Sequence, residues 1–306
     1  MEFWQILTYA GAAVALGAIV LRAVRYAGTP IHLRWELYPV AHEKGRADYG
    51  GSIFEELDWW TKPRQVDHLN ELKEMAEEIL FLKGVYLHNR KLWVFSFPFH
   101  FGLYLVTAWL ALLVVAATGR VAGADPGGGF ISACMLAIQV TGYAGLALVL
   151  TGSIGLLFRR MSNPDIRRYS APVEFINLAF FIVTTGVALV VQAMYDPAFK
   201  GLTDYMYSTI TFNQAVLPDM WMRTEVVLGS LLVAYIPLTR MAHFVAKYFL
   251  YHDVRWADEP NPRGGKIEGR IKQAFGYRMD WDAGHIQKNG TWAEVGTEVI
   301  DDEGEK

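Results

Sequence analysis

Five stretches of the chain are nearly free of charge and long enough to cross a bilayer. Residues 3–21, 129–158 and 175–195 contain no charged side chain, and residues 92–119 have His100 as their one ionisable group. Residues 224–250 are mostly apolar but include Glu225, Arg240, His243 and Lys247. A bilayer core of about 30 Å needs about 20 helical residues. The first four runs meet that requirement outright. The fifth is read as a span because ionisable residues facing a bundle interior mark functional positions in membranes. No run alternates with period two, so strands do not compete. The pattern predicts an all-α membrane protein: a five-helix transmembrane bundle with a cytoplasmic amphipathic insert and a polar C-terminal tail.

The chain then divides into residues 1–27 (first transmembrane helix), 28–91 (insert), 92–250 (four further spans) and 251–306 (tail). Within the insert, residues 65–82 place Leu69, Leu72, Met75, Ala76, Ile79 and Leu80 at three/four spacing. That is an amphipathic helix. It can lie on the membrane face of its own protein, or it can dock a partner subunit. The tail ends in DDEGEK and is expected to be extended, ordering against a partner. The Asn289-Gly290-Thr291 sequon lies on the expected cytoplasmic side and is discounted.

Composition sharpens the membrane reading. The 306 residues would make two soluble domains by length, yet 53% are hydrophobic and 19% charged, against about 25% charged in soluble chains. A net charge of -3 gives no reason to invoke nucleic acid. Cys134 is the single cysteine. It excludes an intramolecular disulfide, a four-cysteine iron–sulfur cluster and a CxxCH haem attachment built by this chain alone.

Cations set the expected orientation. Arg22, Arg25 and Arg34 follow the first span, Arg159, Arg160, Arg167 and Arg168 the third, and Lys247 and Arg255 the fifth. The remaining connections hold fewer and include Asp196, Asp204 and Asp219. The N-terminus is therefore expected outside and the C-terminus in the cytoplasm, in a bacterial-type inner membrane. Glu2 stands where a signal peptide would carry positive charge, so the first span is read as retained.

Of eight histidines, 32, 42, 68, 88, 100, 243, 252 and 285, only His100 and His243 fall within spans. Counted at about 1.5 Å per residue, each lies roughly 10–12 Å from the cytoplasmic end of its helix. Two neutral imidazoles level on antiparallel helices can approach a haem iron from opposite faces. Gly102, Ala242 and Ala246 would let a flat macrocycle lie close. The other reading is that each histidine satisfies a backbone carbonyl or a polar helix contact. The spans lack the Glu and His spacing of a di-iron site. Arg240 can pair a haem propionate or snorkel to the interface. Glu225 can carry protons, pair with Arg223 or another subunit, or sit at the water interface.

Three stretches resemble the gamma (cytochrome b) subunit of respiratory nitrate reductase and its relatives: PFHFG at 98–102, GLLFRRMSNPDIR at 155–167 and PLTRMAH at 237–243. In that family four histidines hold two b haems. The resemblance carries the cytoplasmic pair onto His100 and His243, and the outer pair onto Leu110 and Glu225, which are not haem ligands. It therefore implies one haem b and no outer haem. The insert, with LRWELYPVAHE and YGGSIFEELDWW, resembles a narrower branch: cytochrome b subunits of sulfate-reducer transmembrane redox complexes, such as the tetrahaem cytochrome c complex and the dissimilatory sulfite-reductase-associated complex. That resemblance implies a cytoplasmic iron–sulfur partner like heterodisulfide reductase, a periplasmic multihaem cytochrome c, and exchange with a quinone such as menaquinone. The expected role is an electron-transfer subunit, not catalytic alone. A haem-free membrane anchor for redox subunits has the same topology and stays open as the alternative.

Overall fold

The computed structural model describes residues 2–28, 44–45, 55–63, 67–214, 217, 219–250, 263–283, 286 and 288–298. His32, His42, His252, His285, Arg34, Arg255, the stretch LRWELYPVAHE and the acidic end of the tail lie outside the described residues. The described residues form helices and no strand, with two isolated bridges.

Five helices are long and apolar enough to span a membrane. They are α1 (Phe3–Ala27), α4 (Arg90–Val121), α5 (Gly129–Ser162), α7 (Pro172–Tyr195) and α9 (Met220–Leu238), so the all-α five-span fold is observed. Shorter helices fill the connections: α2 (His68–Phe81) and α3 (Lys83–His88) before α4, α6 (Pro164–Arg168) after α5, and α8 (Lys200–Ile210) between α7 and α9. Next come α10 (His243–Leu250), α11 (Lys266–Phe275) and α12 (Trp292–Thr297). The amphipathic pattern at 65–82 is α2. The polar segment KGLTDYMYSTI of α8 carried no spanning signal.

The chain divides into two compact units, residues 1–19 with 73–242, and residues 20–72 with 243–306. In the first, α4 and α5 pack along most of their length. The approach is close because glycines stand at the seam: a Cβ on Gly152 would lie 2.5 Å from the Phe99 nitrogen, and one on Gly102 2.6 Å from the Val149 nitrogen. Small residues allow such backbone contact in membranes, where dispersion replaces the hydrophobic drive. α8 folds back into the bundle and starts at Phe199, which is fully buried with φ at 57°. Its ring meets Trp109 at 5.6 Å and Tyr143 at 4.9 Å. That packing supports a left-handed conformation unusual for a bulky side chain. α1 is pinned by the buried Gln5, whose Nε2 donates to Asn213 O at 2.7 Å, and by Thr8, 2.8 Å from the Tyr205 hydroxyl. At the Arg90 end, Arg160 pairs with Glu174 and donates to Ser170 Oγ at 2.6 Å, closing the turn that Asn163 caps.

The fifth span is shorter than the apolar run suggested. α9 stops at Leu238, Thr239 is extended, a 3₁₀ turn covers Arg240–Ala242, and α10 begins at His243. Pro237 removes a backbone donor in the last turn of α9. The Thr239 hydroxyl then accepts from Met241 N at 3.2 Å, which starts the next turn.

In the second unit, α10 is amphipathic and Phe249 meets Tyr26 at 6.1 Å. The tail is not wholly extended. Thr291 and Glu294 form a capping box at the start of α12, and Met279 and Asn289 pair through Asn289 N→Met279 O at 3.0 Å. Hydrogen bonds from the Thr291 backbone and side chain hold the Glu294 carboxyl below the usual carboxylate range.

Candidate functional site

His100 lies three turns into α4, half-buried, one turn beyond Ser96. Its Nδ1 is 2.7 Å from the Ser96 carbonyl oxygen. A carbonyl only accepts, so Nδ1 carries the hydrogen and the neutral ring keeps its lone pair on Nε2. The Ser96 hydroxyl lies 3.3 Å from the same nitrogen. This is the arrangement that fixes tautomer and ring orientation in a histidine ligand. Phe99 holds the ring edge-on at 5.3 Å and meets Phe181 of α7 at 5.0 Å. Trp93, Phe97 and Phe101 stack along α4 with centroids 4.7 and 5.6 Å apart. The imidazole is therefore held by the Ser96 carbonyl and the Phe99 ring.

Gly102 does not do what the sequence suggested. It faces α5 and is occupied by helix contact, so it leaves no room for a macrocycle. Ala242 is likewise buried in packing. His243 opens α10 in the second unit and is exposed, and Arg240, in the 3₁₀ turn of the first, is exposed as well. The equal-depth count assumed an unbroken fifth helix. The break at Thr239 removes that premise, and the case for His243 now rests on its motif. Among the described residues, no three of His, Cys, Asp and Glu converge as a metal cluster.

At the opposite end of the bundle, the positions of the outer ligand pair behave differently. Leu110 is exposed on α4 and has no donor atom. Glu225 is buried in α9, 6% exposed, and accepts from Gln192 Nε2 of α7 at 2.7 Å. Met222, Val226, Val191, Trp109 and Phe199 belong to the packed core of this end. These residues do not fit a second haem. Arg223 is turned elsewhere, its Nε donating to Leu217 O at 2.8 Å. Glu225 is thus neither a surface carboxylate nor the partner of Arg223. Gln192 was not legible beforehand, because a single glutamine in an apolar run carries no periodic signal. Glu225 Oε1 and Gln192 Oε1 have no hydrogen-bond partner among the described residues.

One apolar cavity of about 340 Å³ is lined by Gly186, Val187, Val190, Val191, Met194 and Tyr195 of α7 and Trp221 of α9. Trp221 stands one turn before Glu225 on the same helix.

A family model described as nitrate reductase gamma subunit matches residues 85–257. That span holds α4 to α10, with His100, Arg240 and His243 inside it. No curated protein matches the chain.

Proposed function

The chain belongs to the nitrate reductase gamma subunit family, and from that premise we propose that it carries single electrons through one haem b held by His100 and His243. The family is one of multi-pass membrane haem b subunits in quinone-linked electron transfer, associated with a catalytic subunit. The observation that supports the finer reading is the Nδ1 bond of His100 to the Ser96 carbonyl, which sets the tautomer and orientation of the ring as in a histidine ligand. His243 stands at the matching histidine of the PLTRMAH motif and would be the second residue to hold the haem. Arg240, three residues earlier, balances a propionate charge.

Haem b, when bound, supplies a one-electron relay. The chain's own residues set its conditions. Phe99 and Phe181 exclude water from the ligand's flank. Axial ligation and burial together set the potential. With Leu110 and Glu225 unfit as ligands, the outer half holds no second haem.

The wider setting follows the resemblance of the insert. Electrons pass between a membrane quinone such as menaquinone and a cytoplasmic iron–sulfur partner of heterodisulfide-reductase type, with a periplasmic multihaem cytochrome c as a further neighbour. The chain sits in a bacterial-type inner membrane with its N-terminus outside. Lone Cys134 leaves the iron–sulfur chemistry to that partner.

The experiment is a pyridine haemochrome of the purified chain with its natural complex. One haem b per chain is expected, lost in His100→Ala and in His243→Ala while the protein still inserts and assembles. Wild-type protein without haem, but with intact assembly, would establish the anchor reading instead. Retention of haem in both variants would remove the ligand assignment.

A further inference from the structure

α2 and α3 form a tight hairpin that turns at Leu82, a buried residue with φ at 52°. Two hydrogen bonds pin its tip to α4. The Tyr104 hydroxyl donates to Ile79 O at 2.7 Å, and Trp93 Nε1 donates to Phe81 O at 2.8 Å. Trp93 and Tyr104 stand eleven residues apart, about 16 Å along the helix axis. Carbonyls two residues apart at the end of α2 are reached from both. The tip therefore lies between those levels, beside the Pro98–His100 stretch and roughly 10 Å inward from Lys91.

Lys91 marks a real boundary. Gly155 abuts Phe95 and Gly152 abuts Phe99, so Arg159 and Arg160 of α5 stand level with Arg90 and Lys91. Glu174, at the start of α7, pairs with Arg160 at the same level. Everything beyond that plane on α4, α5 and α7 is uncharged for more than twenty residues of α5 and α7. The hairpin tip is on the apolar side of it.

The hairpin is built for such a place. Lys83 Nζ is bound by Glu74 at 2.8 Å and by Glu77 at 2.7 Å, and Glu78 accepts from Gly84 N at 2.8 Å. Two carbonyls in the last turn of α2, those of Ile79 and Phe81, are closed by Tyr104 and Trp93. The hairpin's ion pairs nearest its tip are thus internal, as an element within a bilayer requires, while Lys73, with its side chain 67% exposed, stands at the far end of the segment from the tip. Its outer face is apolar and exposed: Ile79, Leu80, Phe81, Tyr86 and Leu87, with Phe81 at 55% and Leu87 at 59%. It continues into the exposed Val94 of α4.

We propose that α2–α3 is a re-entrant hairpin that dips into the leaflet at the Arg90 end, with this face against lipid acyl chains. The segment 73–88 is then membrane structure and not part of a soluble insert. The insert proper shortens, and the His100 level of α4 gains a protein wall on one side.

The test uses the full chain in lipid nanodiscs and in its complex, with Cys134→Ala as background. Nitroxide labels are placed at Leu80→Cys and Leu87→Cys. Val183→Cys, on the exposed face of α7, is the lipid control, and Tyr169→Cys, in the exposed turn before α7, is the aqueous control. Power saturation by oxygen and by a water-soluble nickel chelate reads the depth. The hairpin labels are expected to follow Val183→Cys, with oxygen collisions dominant. Adding Tyr104→Phe should raise the chelate collisions several-fold while haem content is unchanged. Labels that follow Tyr169→Cys would overturn the proposal. Labels shielded from both reagents in the complex would overturn it too, by assigning the face to a protein partner.

Discussion

Glu225 and Gln192 form a polar pair inside an otherwise apolar end of the bundle, and their contribution is separable. Gln192→Leu takes away the one donor that reaches the Glu225 carboxyl at 2.7 Å. Stranding a buried acceptor costs about 1–3 kcal/mol. Glu225→Leu with Gln192→Leu removes both polar groups, so the double variant should lose less stability than either single change implies. Thermal unfolding in nanodiscs reads this as a coupling between the two sites. Additive losses would show that the pair does not act as a unit. His100 was legible at this scale, because a lone imidazole in an uncharged run is conspicuous. Its Ser96 carbonyl partner was not, since every helix offers such carbonyls and only coordinates show which one is used.

At the scale of elements, the α4–α5 seam bears on stability most directly. Gly152→Leu must push α4 away, because even a Cβ would meet backbone there. Overpacking costs typically about 1–3 kcal/mol. Gly17 of α1 has open space around it. Gly17→Ala should therefore be neutral or slightly stabilising, and comparable losses in the two variants would refute the seam argument. α8 makes a pH-dependent contribution through Asp204. Burial alone would raise its carboxyl, but hydrogen bonds from Lys200 and Arg120 outweigh that and hold it below its ordinary 3.8. A lowered folded value means stability that is present above the ordinary carboxylate range and fades as pH falls through the folded value. Melting temperature should drop on acidification below about pH 4, and Asp204→Asn should flatten that component. An unchanged profile in the variant would assign the acid sensitivity elsewhere. Four spans were readable because charge-free runs of that length have no other stable home, and the fifth because its few ionisable residues sit in a mostly apolar run. The end of α9 was not, because Pro237 and Thr239 sit inside an apolar stretch whose hydropathy hides the break. α8 was missed because its mixed composition says nothing about folding back against Trp109.

For the molecule as a whole, His100 lies in the unit that holds α4, α5, α7 and α9, and His243 in the other. The family resemblance covers both histidines, and the matched span of 85–257 agrees with it. One end of the bundle holds His100 and the other a packed core with Glu225 inside. The iron–sulfur partner drew on LRWELYPVAHE, outside the described residues, so it rests on sequence likeness and is best tested by what co-purifies with the intact complex.

Near-infrared magnetic circular dichroism of the oxidised protein, taken with haem per chain, tests the ligation most directly. The account predicts a single low-spin haem b with the charge-transfer band of two neutral imidazoles. A histidine–methionine band, a high-spin spectrum or two haems per chain would contradict it.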